Sequence, residues 1–283
     1  MLPEQVKIWI RQQGYGEGIS LQPVGGGCIN NGARLATASG QTFFLKTNAS
    51  APADMFAREA EGLQALGVSD GPRVPRPYLH SEDFLLLEDL MPAPRRPDYW
   101  PEFGRRLAAL HSHSGPHFGF EHANYIGSTP QPNSWTEDGY AFFAGQRLAF
   151  QAHLANQQGL LGNDECSRVA RLGERLPELV PAQPASLIHG DLWSGNALSD
   201  ESGGPAIIDP AAHYGWAEAE LAMTALFGTF PEAFYAAYQE VRPLRRGFRE
   251  RFPIYNLYHL LNHLNLFGSG YWRQVVAVLK RYT

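Results

Sequence analysis

Apolar side chains recur along this chain with two different spacings, and each spacing predicts one kind of element. In residues 102–114, Phe103, Leu107, Leu110 and His111 fall at positions i, i+4, i+7 and i+8, which is the stripe of an amphipathic helix. Similar stripes predict further helices at 3–14, 53–66, 138–160, 165–180, 218–227, 231–240 and 252–267. Most of the predicted helices therefore lie after residue 100.

Short continuous apolar runs predict strands, and the clearest of them come before residue 90. They are the runs 42–46 and 84–87. The first ends in a lysine, and the second leads directly into Glu88, Asp89 and Leu90. The chain therefore combines strands in its first third with helices in the remainder.

Composition sets broad limits on the class of protein. With 283 residues, 44% of them hydrophobic and 18% charged, the chain resembles an ordinary globular protein with a substantial core. A net charge of −5 gives no support for binding to nucleic acid or to an anionic membrane, and no apolar run approaches 18 residues. The N-terminus carries Glu4 and Lys7 with no hydrophobic signal core, so we expect a cytoplasmic protein. Two cysteines, Cys28 and Cys166, are too few for a disulfide framework or a zinc site.

The segment 187–221 carries the densest group of candidate catalytic residues. Asp191 follows an apolar pair, Asn196 comes five residues later, and Asp209 comes thirteen residues after that, behind another apolar run. Phosphoryl transfer from a nucleotide needs a carboxylate beside the acceptor hydroxyl, together with an amide oxygen and a second carboxylate on Mg²⁺. Kinase catalytic loops have the same gap between Asp and Asn. Two turns beside two strands would also produce this pattern, because His-Gly-Asp and Asp-Pro both favour turns.

A glycine-rich stretch and a lysine lie upstream of this segment. Gly25, Gly26, Gly27 and Cys28 stand between two β-like runs, where glycine lets the backbone approach phosphates closely; a hairpin turn has the same composition. Lys46 ends the next predicted strand, which is where kinases place the lysine that contacts the α- and β-phosphates. A strand-end lysine is usually solvated, so this position points to a nucleotide only in combination with the other residues.

The catalytic segment also resembles that of a known family. His189-Gly190-Asp191-Leu192-Trp193-Ser194-Gly195-Asn196 resembles the catalytic loop of the fructosamine kinase (ketosamine-3-kinase) family, a branch of the aminoglycoside-phosphotransferase-like kinases. The following segment is similar as well, in Tyr214-Gly215, Glu218, Glu220-Leu221-Ala222 and Phe227-Gly228. The likeness covers nearly the whole chain, and Trp193 with Ser194 separates this family from its antibiotic- and choline-phosphorylating relatives.

The resemblance implies an α+β, bilobal, protein-kinase-like fold. A small N-lobe with an antiparallel sheet would span residues 1–90 and bind the nucleotide. A larger, mainly helical C-lobe would span residues 91–283 and hold the catalytic and acceptor sites. Glu88, Asp89 and Leu90 would form the linker between them, with backbone groups bonding adenine and charged side chains facing outward.

The same resemblance implies which residues bind ATP and Mg²⁺. The loop Gly25, Gly26, Gly27 and Cys28 would cover the nucleotide, and Lys46 would contact its phosphates with Glu59 as the paired carboxylate. Asn196 and Asp209 would hold Mg²⁺. Cys28 falls where the family often has a cysteine, and both a redox-sensitive thiol and an ordinary loop residue remain open there.

For the acceptor, the resemblance assigns Asp191 to accept or orient the proton of the reacting hydroxyl. Trp193 would lie against the ketosamine, and Trp135 and Trp216 are further candidates for the substrate site. The aromatic-rich loop around Trp135 either shapes this pocket or is a surface loop. His189 and Glu220 are expected to support the catalytic loop.

The expected function is ATP-dependent phosphorylation of the 3-hydroxyl of fructosamine, ribulosamine or erythrulosamine adducts, which is a deglycation activity. The acceptor would be a small molecule or protein-attached, with no nucleic acid or membrane partner, and the protein would be a monomer or weak homodimer. An aminoglycoside or choline-type phosphotransferase is the nearest rival, followed by a nucleotide-binding protein without catalysis. Pro-Ala-Ala after Asp209 replaces the Phe-Gly of protein kinases and argues against that class. His259 and His263, four residues apart, suggest a metal pair, but no third ligand is evident.

Overall fold

The structure is a computed structural model that describes residues 2–25 and 30–283, and the first part of the chain is organised around an antiparallel sheet. Within the described residues this sheet has five strands in the order β1-β2-β3-β5-β4. The strands are β1 (Gly18–Val24), β2 (Asn31–Thr37), β3 (Thr42–Thr47), β4 (Pro77–His80) and β5 (Phe84–Glu88). Helices α1 (Glu4–Gln12) and α2 (Met55–Leu66) pack with this sheet, and both were predicted from their apolar stripes.

Strand β5 shows why this sheet has a core on each face. Successive side chains of a strand point to opposite faces. Phe84 and Leu86 accordingly pack in the cluster that contains α1, whereas Leu85 and Leu87 pack in the cluster that contains α2. The uninterrupted apolar run that predicted this strand is therefore the pattern of a strand buried on both sides.

The rest of the chain is mainly helical. Its helices are α3 (Tyr99–Ser112), α4 (Gly139–Ala141), α5 (Phe150–Gln157), α6 (Asn163–Leu179), α7 (Ala217–Met223), α8 (Glu232–Val241), α9 (Phe248–Phe267) and α10 (Trp272–Tyr282). A π-helical segment (Phe142–Ala149) joins α4 to α5, so the long helix predicted at 138–160 is continuous but not uniform. The predicted stripe of α3 is confirmed, because Phe103, Leu107, Leu110 and His111 are all fully buried.

The candidate catalytic residues lie next to short strands in this second part of the chain. These strands are β6 (Ser114–Gly115), β7 (Asn124–Ile126), β8 (Thr129–Gln131), β9 (Ala185–Ile188), β10 (Ala197–Ser199), β11 (Pro205–Ile207) and β12 (His213–Gly215). Strand β9 lies between β12 and β6 and runs directly into His189. Strands β10 and β11 pair as a hairpin in which Ala197 lies opposite Ile207. Asn196 and Asp209 therefore flank the open end of one hairpin.

The two parts form a bilobal α+β arrangement, and they touch at more than the linker. Arg73, which precedes β4, pairs with strand β11: its N–H donates to the Pro205 carbonyl (3.0 Å) and its carbonyl accepts from Ile207 N–H (2.8 Å). The boundary expected between residues 90 and 91 stays a prediction. Among the described residues, no helix combines the length and apolarity needed to cross a membrane.

Candidate active site

The backbone of the loop after β9 is held by one buried carboxylate. Glu220, at the start of α7, accepts from Gly190 N–H (2.7 Å) and His189 N–H (3.1 Å). It also pairs with the imidazole Nε2 of buried His111 (2.7 Å). Burial raises the pKa of Glu220, but these hydrogen bonds outweigh it and the net pKa is lowered, so the carboxylate stays ionised. Glu220 thus fixes the loop immediately before Asp191.

His189 is used as a structural link. Its Nδ1 accepts from Asp191 N–H (3.3 Å), so its Nε2 carries the proton and donates to the Ile208 carbonyl (2.8 Å). Burial lowers the pKa of this imidazole, which favours the neutral form. Both nitrogens are occupied by contacts within the loop region, and the ring ties the catalytic loop to the residue before Asp209.

Gly190 is required by its surroundings. Its φ is +83°, and a Cβ at this position would lie 2.2 Å from the Ala211 carbonyl oxygen. Any larger residue would therefore push apart the catalytic loop and the segment that follows Asp209.

Asp191 is a partly buried carboxylate next to the amide of Asn196. Asn196 Nδ2 donates to the Asp191 carbonyl (2.8 Å) and reaches its Oδ2 at 3.4 Å. Burial and the nearby carboxylates of Asp209 and Glu220 raise the pKa of Asp191 to about 7. A carboxylate with this pKa is a stronger proton acceptor than an ordinary aspartate.

Lys46 connects the sheet to the catalytic segment. Its ammonium group bonds the carboxylates of both Glu59, on α2, and Asp209. Burial opposes the charge of Lys46, but these two carboxylates outweigh it and raise the pKa, so the lysine is protonated. The structure therefore brings together three residues that are 13 and 163 positions apart in sequence.

Asn196 and Asp209 offer oxygen atoms suited to Mg²⁺. Asn196 uses its Nδ2 within the loop, and its Oδ1 takes no hydrogen bond from the described residues. One oxygen of Asp209 bonds Lys46, and the side chain is 41% exposed. Mg²⁺ is commonly held by one or two such protein oxygens together with substrate phosphates and water.

The histidine pair on α9 does not form a comparable site. His263 Nδ1 bonds the His259 carbonyl within the helix at 2.9 Å. In the described ranges, no group of three or more His, Cys, Asp or Glu side chains is arranged to hold a metal ion.

The three candidate tryptophans lie in different environments. Trp193 is half-buried, and its indole ring folds over Gly195, where a Cβ would lie 2.3 Å from the ring. Trp135 is 48% exposed and lines a groove of about 610 Å³ beside Tyr214 and Gly115. Gly115 pairs with the first residue of β9, whereas Asp191 follows the last, so this groove is displaced along the strand from the catalytic loop.

Trp216 does not fit the substrate role expected from the sequence. Only 4% of its surface is exposed, and its ring packs against Phe143 (5.2 Å between centroids) and Tyr255 (5.9 Å). The ring is part of the hydrophobic core because α7 begins directly after it and packs on α9.

The linker differs from expectation in one respect. The side chain of Asp89 was expected to face outward, but only 3% of it is exposed, because Arg34 on β2 binds it through Nε (2.5 Å) and Nη2 (3.1 Å). Glu88 pairs with Arg73 and accepts from Arg76 N–H, and Leu90 is buried. Arg34 had not been identified from the sequence, since its partner lies 55 residues away.

The glycine-rich stretch is only partly covered by the structure. Gly25 lies exposed at the end of β1. The roles predicted for Gly26, Gly27 and Cys28 fall on residues outside the described ranges.

Comparison with known proteins shows the family to which this chain belongs. The sequence profile described as fructosamine kinase matches residues 1–283. The chain belongs to the fructosamine kinase family. A probable ketoamine kinase of Synechocystis sp. is 44% identical to this family member, over 91% of the chain and 88% of the relative. The chloroplastic protein-ribulosamine 3-kinase of Oryza sativa subsp. indica is 39% identical, over 99% and 83% respectively.

Solved structures agree with this fructosamine kinase assignment. A Thermobifida fusca protein provisionally named fructosamine-3-kinase superposes with a TM-score of 0.88 at 33% identity, covering 99% of this chain and 98% of that one. Choline kinase from Streptococcus pneumoniae shares the fold, with a TM-score of 0.65 at 15% identity over 99% of this chain and all of the other. The protein is therefore an enzyme, a kinase with the bilobal fold common to these phosphotransferases.

Proposed function

We propose that this kinase transfers the γ-phosphoryl group of ATP to the 3-hydroxyl of a ketosamine. The observation that carries the proposal is the convergence at one site of Lys46, Glu59 and Asp209 with Asp191 and Asn196. The names of the similar proteins, a ketoamine kinase and a protein-ribulosamine 3-kinase, support the choice of a ketosamine acceptor.

In this proposal Asp191 orients the acceptor hydroxyl and takes its proton. Its pKa of about 7 reflects burial and two neighbouring carboxylates. The Asn196 amide, which donates to Asp191, keeps the carboxylate directed into the site. Positioning and charge neutralisation account for most of the catalysis of phosphoryl transfer, so a displaced carboxylate should be costly.

Asn196 and Asp209 would hold Mg²⁺ through their side-chain oxygens, and the ion would neutralise charge on the transferred phosphoryl group. Lys46, kept protonated by Glu59 and Asp209, would contact the nucleotide phosphates. The backbone of Glu88, Asp89 and Leu90 would bond adenine, and the loop Gly25, Gly26, Gly27 and Cys28 would cover the phosphates.

Trp193 would form one wall of the sugar site. Its half-buried ring follows Asp191 by two residues, and an aromatic face suits the C–H surface of a sugar. Trp135 lines a separate groove, and we leave it outside the sugar site.

The proposal is tested by ATP consumption with Mg²⁺ against a ribulosamine, a fructosamine, kanamycin and choline. We expect turnover on ketosamines only, with phosphate on O3 of the product, and loss of turnover in D191A and D209A proteins. Turnover on kanamycin or choline would be consistent with the fold and with the proposed catalytic residues, but it would contradict the choice of a ketosamine as acceptor. Failure on every acceptor by a protein that binds ATP would contradict the assigned reaction.

A further inference from the structure

Three amide side chains behind the active site are removed from solvent. Asn124 and Gln131 lie on the β7–β8 hairpin, and Asn133 follows it; their exposed fractions are 5%, 1% and 3%. Buried amides are costly unless their hydrogen bonds are satisfied. From the sequence, this loop either shapes the acceptor pocket or is a surface loop. The partners of its buried amides indicate which part of the molecule the loop holds in place.

Two of these amides bond the backbone just after Asp209. Asn124 Nδ2 donates to the Ala212 carbonyl (2.8 Å), and Gln131 Nε2 donates to the Ala211 carbonyl (3.1 Å). The Ala211 carbonyl also accepts from His213 Nδ1 (2.9 Å). Both alanines are buried, so the amides replace water as partners of these carbonyls.

The orientation of the amides is set by further contacts. Asn124 Oδ1 accepts from Gln131 Nε2 (2.7 Å) and Asn133 Nδ2 (3.0 Å). Gln131 Oε1 accepts from Tyr258 on α9 (2.5 Å), and Asn133 Oδ1 accepts from Arg147 (2.7 Å). The network is thus anchored on two helices, and neither Asn124 nor Gln131 is able to rotate without breaking several bonds.

Asp209 itself has an unusual backbone conformation. Its φ is +58°, one of two positive values among non-glycine residues in the described ranges. Such conformations persist only where the surroundings impose them. On one side, Ile208 N–H donates to the Asn196 carbonyl (3.2 Å) and His189 binds the Ile208 carbonyl. On the other side, Ala211 N–H donates to the His189 carbonyl (2.9 Å), and the Asn124 and Gln131 amides hold the carbonyls of Ala212 and Ala211.

We propose that Asn124 and Gln131 are positioning residues for the metal carboxylate. They hold the segment after Asp209 so that its strained backbone directs the carboxylate toward Lys46 and Asn196. The inference rests on the proposed function, because it takes Asp209 as a Mg²⁺ ligand. Neither amide touches the ion or the substrate; both act through the backbone of residues 211–212.

The test compares three variants. N124A removes the donor to Ala212, and Q131M removes the donor to Ala211 while nearly conserving volume. N256A is the matched control, since Asn256 is also a buried asparagine (6% exposed) that donates to a backbone carbonyl at 2.8 Å, that of Ala222 on α7. Circular dichroism and thermal melting first establish which variants are folded.

The primary measurement is Mn²⁺ binding by electron paramagnetic resonance, with a non-hydrolysable ATP analogue and no acceptor. Loss of groups that orient a ligand typically weakens metal affinity about 10- to 100-fold. We expect this weakening in N124A and Q131M but not in N256A. In steady-state assays the Mg²⁺ concentration for half-maximal rate should rise while the KM for ketosamine is unchanged.

Unchanged Mn²⁺ affinity in folded N124A and Q131M would overturn the proposal, as would equal weakening in N256A, which would reflect general destabilisation. Should N124A fail to fold, Q131M decides the question in the same way. Absence of Mn²⁺ binding by the unsubstituted protein would instead contradict the proposed function, so the two failures are distinguishable.

Discussion

At the scale of single residues, Trp193 and Gly195 form a unit within the catalytic loop. The indole ring occupies the space that a side chain at position 195 would need, since a Cβ there would lie 2.3 Å from it. Gly195 therefore lets the ring fold back over the loop, and in the proposed function the remaining surface of the ring would face the acceptor.

Substitution of Trp193 should affect the acceptor far more than the nucleotide. If the sugar covers roughly 50 Å² of the ring, its loss costs about 1.3 kcal/mol at about 25 cal/mol per Å². This corresponds to a rise of roughly tenfold in the KM for ketosamine in W193A. Steady-state kinetics with each substrate varied in turn measure the effect.

W135A is the control, because Trp135 is also accessible but lines the separate groove. Its ketosamine KM should be unchanged. Equal increases in the KM for ATP and for ketosamine in W193A would contradict the assigned role of the ring.

Residue spacing predicted the principal polar groups of the site because Asn196 and Asp209 flank the β10–β11 hairpin and Asp191 lies in the loop just before it. Asp191, Asn196 and Asp209 come within 19 positions, so a local pattern contains them. The Asn124 and Gln131 amides, by contrast, bond the backbone carbonyls of Ala212 and Ala211, which lie 88 and 80 residues away from them. A carbonyl has no residue identity, so no sequence pattern could have indicated these contacts.

At the scale of elements, the linker after β5 is held to the sheet by the Arg34–Asp89 ion pair. Asp89 Oδ1 accepts both from Arg34 and from Met91 N–H (3.2 Å), and Met91 has a φ of +46°. The pair therefore fixes the turn that follows the backbone groups proposed to bond adenine. Arg34 is the one member of this arrangement that lies outside the linker.

Replacing Arg34 should weaken ATP binding without changing the acceptor site. R34Q leaves the carboxylate of Asp89 buried without its cation, so the linker should shift. A shift that costs about 1 kcal/mol of ATP binding would raise the KM for ATP about fivefold. The ketosamine KM should stay the same, as measured in the same steady-state series.

R11Q provides the comparison, since Arg11 forms an ion pair with Glu17 that is exposed on both sides. Ion pairs between exposed side chains contribute little to the stability of a protein. If R34Q and R11Q proved equally harmless to ATP binding, the linker would not depend on the buried pair.

Elements were predicted well where their buried positions stand out in the sequence, and missed where they do not. β5 was evident as an uninterrupted apolar run, and α3 was evident because Phe103, Leu107 and Leu110 recur at helical spacing. α10 was missed, since only Val275 and Leu279 are buried in it and the residues between them, Val276, Ala277 and Val278, are apolar as well, so the buried positions do not stand out. The helix predicted to continue to Phe227 ends earlier, at Met223. Phe227 is partly exposed, and its ring packs against His263 with 4.4 Å between the ring centroids.

At the scale of the whole molecule, several imidazoles are enclosed in the core. Burial lowers the pKa of His111, His189 and His213, and that of His259 to about 3. For His259, the positive charge of Arg147 and the neighbouring His263 add to the effect.

These histidines should make the protein less stable as the pH falls below about 6.5. The unfolded chain then takes up protons that the folded chain does not, so the free energy of unfolding decreases as pH falls. For His259 the loss continues down to about pH 3. Each such group contributes a slope of up to about 1.4 kcal/mol per pH unit.

Urea denaturation of the unsubstituted protein and of H259Q at pH 7.5 and pH 5.5 tests this expectation. H259Q should lose less stability between the two values, by about 1 kcal/mol, whatever its absolute stability. Parallel losses in the two proteins would show that His259 is protonated equally in the folded and unfolded states.

The backbone contacts of Arg73 with strand β11 have a mechanical consequence. The sheet part of the molecule is attached to the β10–β11 hairpin at Pro205 and Ile207 through Arg73, and the chain after the linker is attached to the same hairpin through Ala93 N–H to Asp200 and Arg96 N–H to Gly203. The second attachment lies within the larger part, so Arg73 and the linker are two points at which the sheet part meets it, and rotation about the line through these points is the motion that the two contacts oppose least. Asn196 and Asp209 flank the β10–β11 hairpin in the larger part, whereas Lys46 belongs to the sheet, so such a rotation would act on the bond between Lys46 and Asp209. Opening and closing of the cleft would therefore leave the proposed metal ligands Asn196 and Asp209 together and change the distance from Lys46 to Asp209.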